Sequence, residues 1–339
     1  MIRTRSFAPV VVALALAVPA CVVGNGSPPS SGAPTATRTS MSVVPAAPTF
    51  DDPIDVVFDP SGMMWVGNYR SSTLVGFRPA DLRGVSGSAT VEPSVTLTGL
   101  HGPNQLLFDE KGALWVASYD DDSIRAYPPS ALSSSGTAKA SIVIRGSHIA
   151  EPTDLAFDGR GSLWVANQGT GDVVSFAAQQ LEASGRPRPR TVLHPFPNEE
   201  EPPEALAFDG QGRLWVSDYN LDVVLRFGPG QLERSGTPSP SLRLRLPDLS
   251  GPIGLTFDTR DRLWVAEATG SALAVFPSGA HGQPSPEFTV TGDALQMPHT
   301  IVFGRDASVW VPCYDNTVLR YGAADLGGTQ HPKPTLILS

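Results

Sequence analysis

Asn104, Glu204 and His299 each stand directly after a proline, in the pairs Pro103-Asn104, Pro203-Glu204 and Pro298-His299. An amide oxygen, a carboxylate and an imidazole can together hold a divalent cation with coordination positions left open, so calcium, magnesium, manganese and zinc are all compatible with the set. Glu204 and His299 are also side chains of the kind that act as catalytic acid and base. A second polar set lies three residues past successive tryptophans: Asn68, Ser118, Asn167, Asp218 and Glu267, with Cys313 in the sixth place. These are candidates for ligand contact, and Asp218 and Glu267 near Glu204 could hold a cation or form an acid–base pair. A plainer reading stands beside each of these. Polar side chains around a water-filled opening need no chemistry, His299 can be a hydrogen-bonded wall residue, and Cys313 can be a small packed side chain.

The positions acquire meaning from the repeat that carries them. The six tryptophans are Trp65, Trp115, Trp164, Trp215, Trp264 and Trp310, spaced by 50, 49, 51, 49 and 46 residues. Seven residues before each is a phenylalanine (Phe58, Phe108, Phe157, Phe208, Phe257, Phe303), and five before that a proline (Pro53, Pro103, Pro152, Pro203, Pro252, Pro298). In the third unit, Leu155-Ala-Phe157 is a short apolar run ending in the turn residues Asp158-Gly-Arg-Gly161. Leu163–Ala166 reads as a second strand, Val173–Phe176 as a third and, after Ser184-Gly185, Thr191–Leu193 as a fourth. Four short strands per repeat of roughly 50 residues are the mark of a propeller blade. The fold expected is therefore all-β: a six-bladed β-propeller with four antiparallel strands per blade. The runs Ile54–Phe58, Leu106–Phe108, Leu155–Phe157 and Leu206–Phe208 are apolar on both faces, as strands are when sheets cover them on both sides. Asp59, Asp109, Asp158, Asp209 and Asp258 each open the turn between first and second strands, which assigns them to turn chemistry and not to a metal site.

The pattern Phe-Asp-x-x-Gly-x-Leu-Trp-Val resembles the NHL-repeat and gluconolactonase/streptogramin-lyase group of propellers, over residues 53 to 339. The resemblance implies that the first strand of each blade is innermost. Since adjacent strands are antiparallel, the post-proline residues and the residues past each Trp then share one face of the disc. The channel ring reads Ile54, Asn104, Thr153, Glu204, Ile253 and His299, with Asn104, Glu204 and His299 in alternate blades, about 120° apart. In gluconolactonase-like enzymes the metal-binding Glu, Asn and Asp occupy this register, and Pro298-His299 is similar to the Pro-His pair that carries a catalytic histidine in streptogramin lyases. Ile54 stands where a lactonase has its glutamate, and His299 where a lactonase has no ligand, so neither enzyme's set is complete.

The ends and the charge complete the reading. Arg3 and Arg5 precede an apolar stretch, Phe7–Val18, too short to span a bilayer, and Val18-Pro19-Ala20-Cys21 resembles a bacterial lipobox. The organisation expected is a lipoprotein signal peptide over 1–20, a lipidated Cys21 with a Ser/Pro/Gly-rich flexible tether over 21–49, and the propeller over 50–339. That makes an exported, lipid-anchored, extracytoplasmic protein that touches the membrane only through its anchor. The net charge of −9 becomes −11 once Arg3 and Arg5 are removed with residues 1–20, which argues against nucleic acid as a partner. With Asp120-Asp121-Asp122 and Glu199-Glu200-Glu201 in loops, the mouth face is expected to be acidic. Three functions fit: a monomeric module that binds a small molecule, glycan or protein; a metal-dependent lactonase or lyase at the channel mouth; and an envelope scaffold.

Overall fold

The computed structural model describes residues 49–196, 202–245, 250–326 and 331–339. The signal peptide, Cys21, the tether up to residue 48 and the Glu199–Glu201 run lie outside the described residues. What is described is a six-bladed propeller, each blade containing four antiparallel strands that run outward in chain order. The innermost strands are Pro53–Phe58, Pro103–Phe108, Pro152–Phe157, Leu206–Phe208, Pro252–Phe257 and Val302–Phe303. The tryptophans lie on the second strands, Met64–Asn68, Leu114–Ser118, Leu163–Asn167, Leu214–Asp218, Leu263–Glu267 and Val309–Cys313.

The Phe–Trp spacing has a packing cause. The Phe of one blade meets the Trp of the blade before it, edge to face for Trp115 with Phe157, Trp164 with Phe208 and Trp264 with Phe303 and tilted for Trp215 with Phe257, at 5.5–6.2 Å between ring centroids. Every repeat must therefore supply both rings. Each indole is anchored from below by its own blade's turn. One carboxylate oxygen of Asp59, Asp109, Asp158, Asp209 and Asp258 accepts backbone N–H groups two and four residues on. The other accepts the Trp Nε1–H at 2.8–3.5 Å. Blade 6 has Gly304 at this place, and there the Trp310 Nε1–H donates to the Ser308 hydroxyl, which donates in turn to Asp306.

The ring closes without a blade shared between the chain ends. Trp310 packs edge-on to Phe58 at 5.8 Å, the same contact carried from blade 6 to blade 1. Phe50, fully buried, fills the same seam with Leu336 and Leu338. At the rim, Gly87–Ala89 of blade 1 adds a parallel strand to the outer strand of blade 6, Leu336–Leu338. Gly136–Thr137 of blade 2 does the same to blade 1, and Gly185 and Gly236 make single parallel bridges to the blades before theirs. The hydroxyls of Ser135, Ser184 and Ser235 accept a backbone N–H from the same neighbours at 3.0 Å. The Ser-Gly pairs are thus straps between blades, and they cover outer strand edges that would otherwise be open to pairing.

A candidate ligand site at the channel mouth

The residue after each proline points into the channel because the inner strand bulges there. The register of inner against second strand slips between Pro53 and Asp55, Pro103 and Gln105, Pro152 and Asp154, and Pro252 and Gly254. The unpaired residues are Ile54, Asn104, Thr153 and Ile253, and a bulge re-aims such a side chain. Before the proline, the backbone of Asp52, Gly102, Glu151, Gly251 and Met297 is left-handed, with φ between 46° and 60°. Blade 4 has Pro202 there, and a proline ring cannot adopt positive φ. Its inner strand begins late, at Leu206, and Glu204 is held instead by its N–H on the Ser217 carbonyl at 2.9 Å.

All six ring residues line one cavity of about 240 Å³, so Asn104, Glu204 and His299 do share a site. Tyr119 and Gln168 also line it. Glu204 accepts a hydrogen bond from the Gln168 amide at 2.8 Å. Burial pushes the Glu204 carboxyl up to about 7, aided by Asp218 and opposed by the Gln168 bond. Burial holds His299 below the usual histidine range, with Asp52 pulling the other way. His299 Nε2 lies 3.9 Å from Asp52 Oδ1, and both atoms are buried with no hydrogen-bond partner. Arg70 completes this corner, its Nε donating to Asp52 Oδ2 at 3.2 Å and its guanidinium to the Tyr314 hydroxyl at 2.7 Å.

The second polar set does not reach this cavity. Asn68, Ser118, Asn167, Asp218 and Glu267 are buried, at 0–4% exposure, and frame the mouth from behind. The Asn68 amide bridges Asp51, Thr49 and Thr73, Asn167 accepts from the Ala150 N–H, and Asp218 accepts from the backbone of Asn220 and Leu221. Cys313 is packed as a small apolar group, and burial pushes its thiol up to about 12, far from an activated thiolate.

A divalent cation needs several donors converging on one point. Among the described residues no three of His, Cys, Asp and Glu converge closely enough to hold one. Glu204 is engaged by Gln168, and the His299 Nε2 faces Asp52. Sequence reasoning missed Asp52, Arg70, Gln168 and Tyr314. The signal available for the last two was their register, one residue past the buried polar set.

Fold and site together define a six-bladed propeller with a polar channel-mouth cavity, and comparison with known proteins supports that class. No protein-family model and no curated protein matches the chain. Among solved structures it is similar to virginiamycin B lyase from Staphylococcus aureus, at 15% identity and TM-score 0.55, over 79% of this chain and 80% of that one. A catalytically inactive His-to-Ala variant of that lyase, solved with quinupristin, matches at 15% identity and TM-score 0.55 over 85% and 86%. The WD40 propeller domain of Doa1 matches nearly as well, at 14% identity and TM-score 0.54 over 78% and 76%. A lyase and a WD40 domain at equal distance carry the fold and leave the activity to the site.

Proposed function

We propose that the protein is a membrane-tethered extracytoplasmic propeller that binds a ligand in the channel-mouth cavity. The observation that carries this is the pair of buried, unpartnered polar atoms at its edge, His299 Nε2 and Asp52 Oδ1. Buried polar groups left without partners cost about 1–3 kcal/mol each, and a ligand that satisfies them recovers that energy on binding. A melting-temperature screen of small ligands, including calcium, magnesium, manganese and zinc, tests the proposal, because anything that binds the folded state raises apparent stability. A shift in wild type that is lost in both His299→Ala and Glu204→Gln is expected. A shift that survives both changes puts the ligand elsewhere.

A second reading is favoured by one further feature, the pairing in one cavity of a carboxyl with pKa about 7 and an imidazole kept neutral by burial. One can give a proton while the other takes one, as lyase or lactonase chemistry requires. Turnover of a lactone or cyclic ester that falls at least about 100-fold in His299→Ala would establish it. The tether rests on the lipobox resemblance alone. Cys21→Ser is expected to move the protein from the membrane to the soluble fraction, and a variant that still sediments with membranes would end that reading.

A further inference from the structure

Four of the six tyrosines occupy one register position, the residue after the buried polar set: Tyr69, Tyr119, Tyr219 and Tyr314, in blades 1, 2, 4 and 6. This position rims the mouth. Tyr119 lines the cavity, Tyr69 meets it edge-on at 6.0 Å, and Tyr314 lies 6.5 Å from the His299 ring and is 42% exposed. Their hydroxyls are held by the protein. Tyr69 donates to Asp120 at 3.1 Å and Tyr119 to Gln168 at 2.8 Å, while Tyr314 accepts from Arg70 at 2.7 Å. What these side chains offer a ligand is ring surface, fixed in place.

Carboxylates surround the Tyr69 and Tyr119 rings. Burial and the carboxylates of Asp120, Asp52 and Glu151 push the Tyr69 phenol up to about 12, and Tyr119 is raised by burial, Glu151 and Glu204 in the same way. Arg70 is a cation at this rim already paired with a carboxylate, and it lies over the Tyr314 ring, 5.4 Å from the centroid. Rigid aromatic faces in a negative field attract organic cations, whose charge is stabilised by the ring quadrupole and by nearby carboxylates. Anions are repelled by the carboxylates. Neutral sugars find the phenol hydroxyls already engaged.

We infer that the mouth cavity, whose role in binding rests on the reading above, takes a small organic ammonium ion against the Tyr119 ring with Glu204 as counter-charge.

Choline and its neutral carbon isostere, 3,3-dimethylbutan-1-ol, differ in charge and little in shape. Calorimetric titration of the purified chain is expected to show choline binding about tenfold or more tighter than the isostere. Tyr119→Leu should weaken choline by about tenfold, while Tyr119→Phe, which keeps the ring, should bind within about twofold of wild type. Glu204→Gln, which removes the counter-charge and keeps the shape, should also weaken choline by about tenfold and remains informative if Tyr119→Leu fails to fold. Equal affinity for the two probes, or tight binding that survives both Tyr119→Leu and Glu204→Gln, overturns the inference. Glucose or an N-acetylated dipeptide binding at the mouth without choline would overturn the ligand class and leave the mouth site standing. Failure of every probe in both assays would remove the mouth site as well.

Discussion

Trp164→Ala is expected to lower the unfolding free energy by ~3–5 kcal/mol, the range for removing a buried aromatic side chain from a packed core. The residue is 3% exposed and lies in the seam between blades 3 and 4. Three terms add at this site. The transfer and cavity terms come from a large ring enclosed by Leu214, Val216 and Leu225. The edge-to-face contact with Phe208 at 6.0 Å is lost. Asp158 Oδ2 also loses the indole N–H donated to it at 3.1 Å, though its other oxygen keeps the Arg160 and Ser162 N–H groups, so the turn itself should persist. Urea unfolding with unchanged m-value and a lower midpoint is the expected signature. A loss under about 1 kcal/mol would mean that the tryptophans are not the inter-blade contacts, and the account of why Phe and Trp recur together would fall with it.

The parts of the molecule that repeat were legible in the chain, because a packing requirement met six times leaves six copies of its residues. Pro, Phe and Trp at fixed spacing identified blades, strands and the face that carries the site. Turn aspartates were separable from site residues for the same reason: a side chain present in five blades serves the scaffold. The channel ring was legible because a proline recurs at the entry to each inner strand. Its cause was not, since a bulge leaves no mark on residue type. The second polar set was legible as a register and not in its burial. Asn68 and Asn167 are buried and terminate backbone at the end of a strand, a role that residue type alone does not announce. Contacts made only by closing the ring were beyond reach. Asp52 meets His299, and Thr300 donates to Asp55 at 2.8 Å, from opposite ends of the chain, and no local pattern announces either pair.

Asp55 leads to the remaining large effect, a stability that falls as pH rises. Its carboxylate sits at the blade 6–1–2 junction, 1% exposed, accepting from Val56 N–H and Thr300 on one oxygen and from the Leu106 N–H of the next blade at 2.9 Å on the other. These bonds favour the charged form, but burial outweighs them and raises the group from 3.8 to about 7. Asp154, which joins blades 3 and 4 through Leu206 N–H in the same way, is also pushed well up by burial. A carboxyl whose folded-state pKa lies above its unfolded value binds its proton more tightly when folded. Its contribution is therefore complete below the unfolded value near 4 and lost as pH climbs through about 7. For Asp55 alone the shift corresponds to about 4 kcal/mol across that window, at about 1.4 kcal/mol per pH unit. The melting temperature is accordingly expected to drop between pH 5 and pH 8 (roughly neutral in ordinary domains), by several degrees at least. Asp55→Asn, whose amide stands in for the protonated carboxyl, should melt close to wild type at pH 5 and show a visibly shallower slope. A wild-type melting temperature that is flat or rising over this range would mean that the bonds from Val56, Leu106 and Thr300 hold the carboxylate charged in the folded ring, and that the junction is locked by an anion.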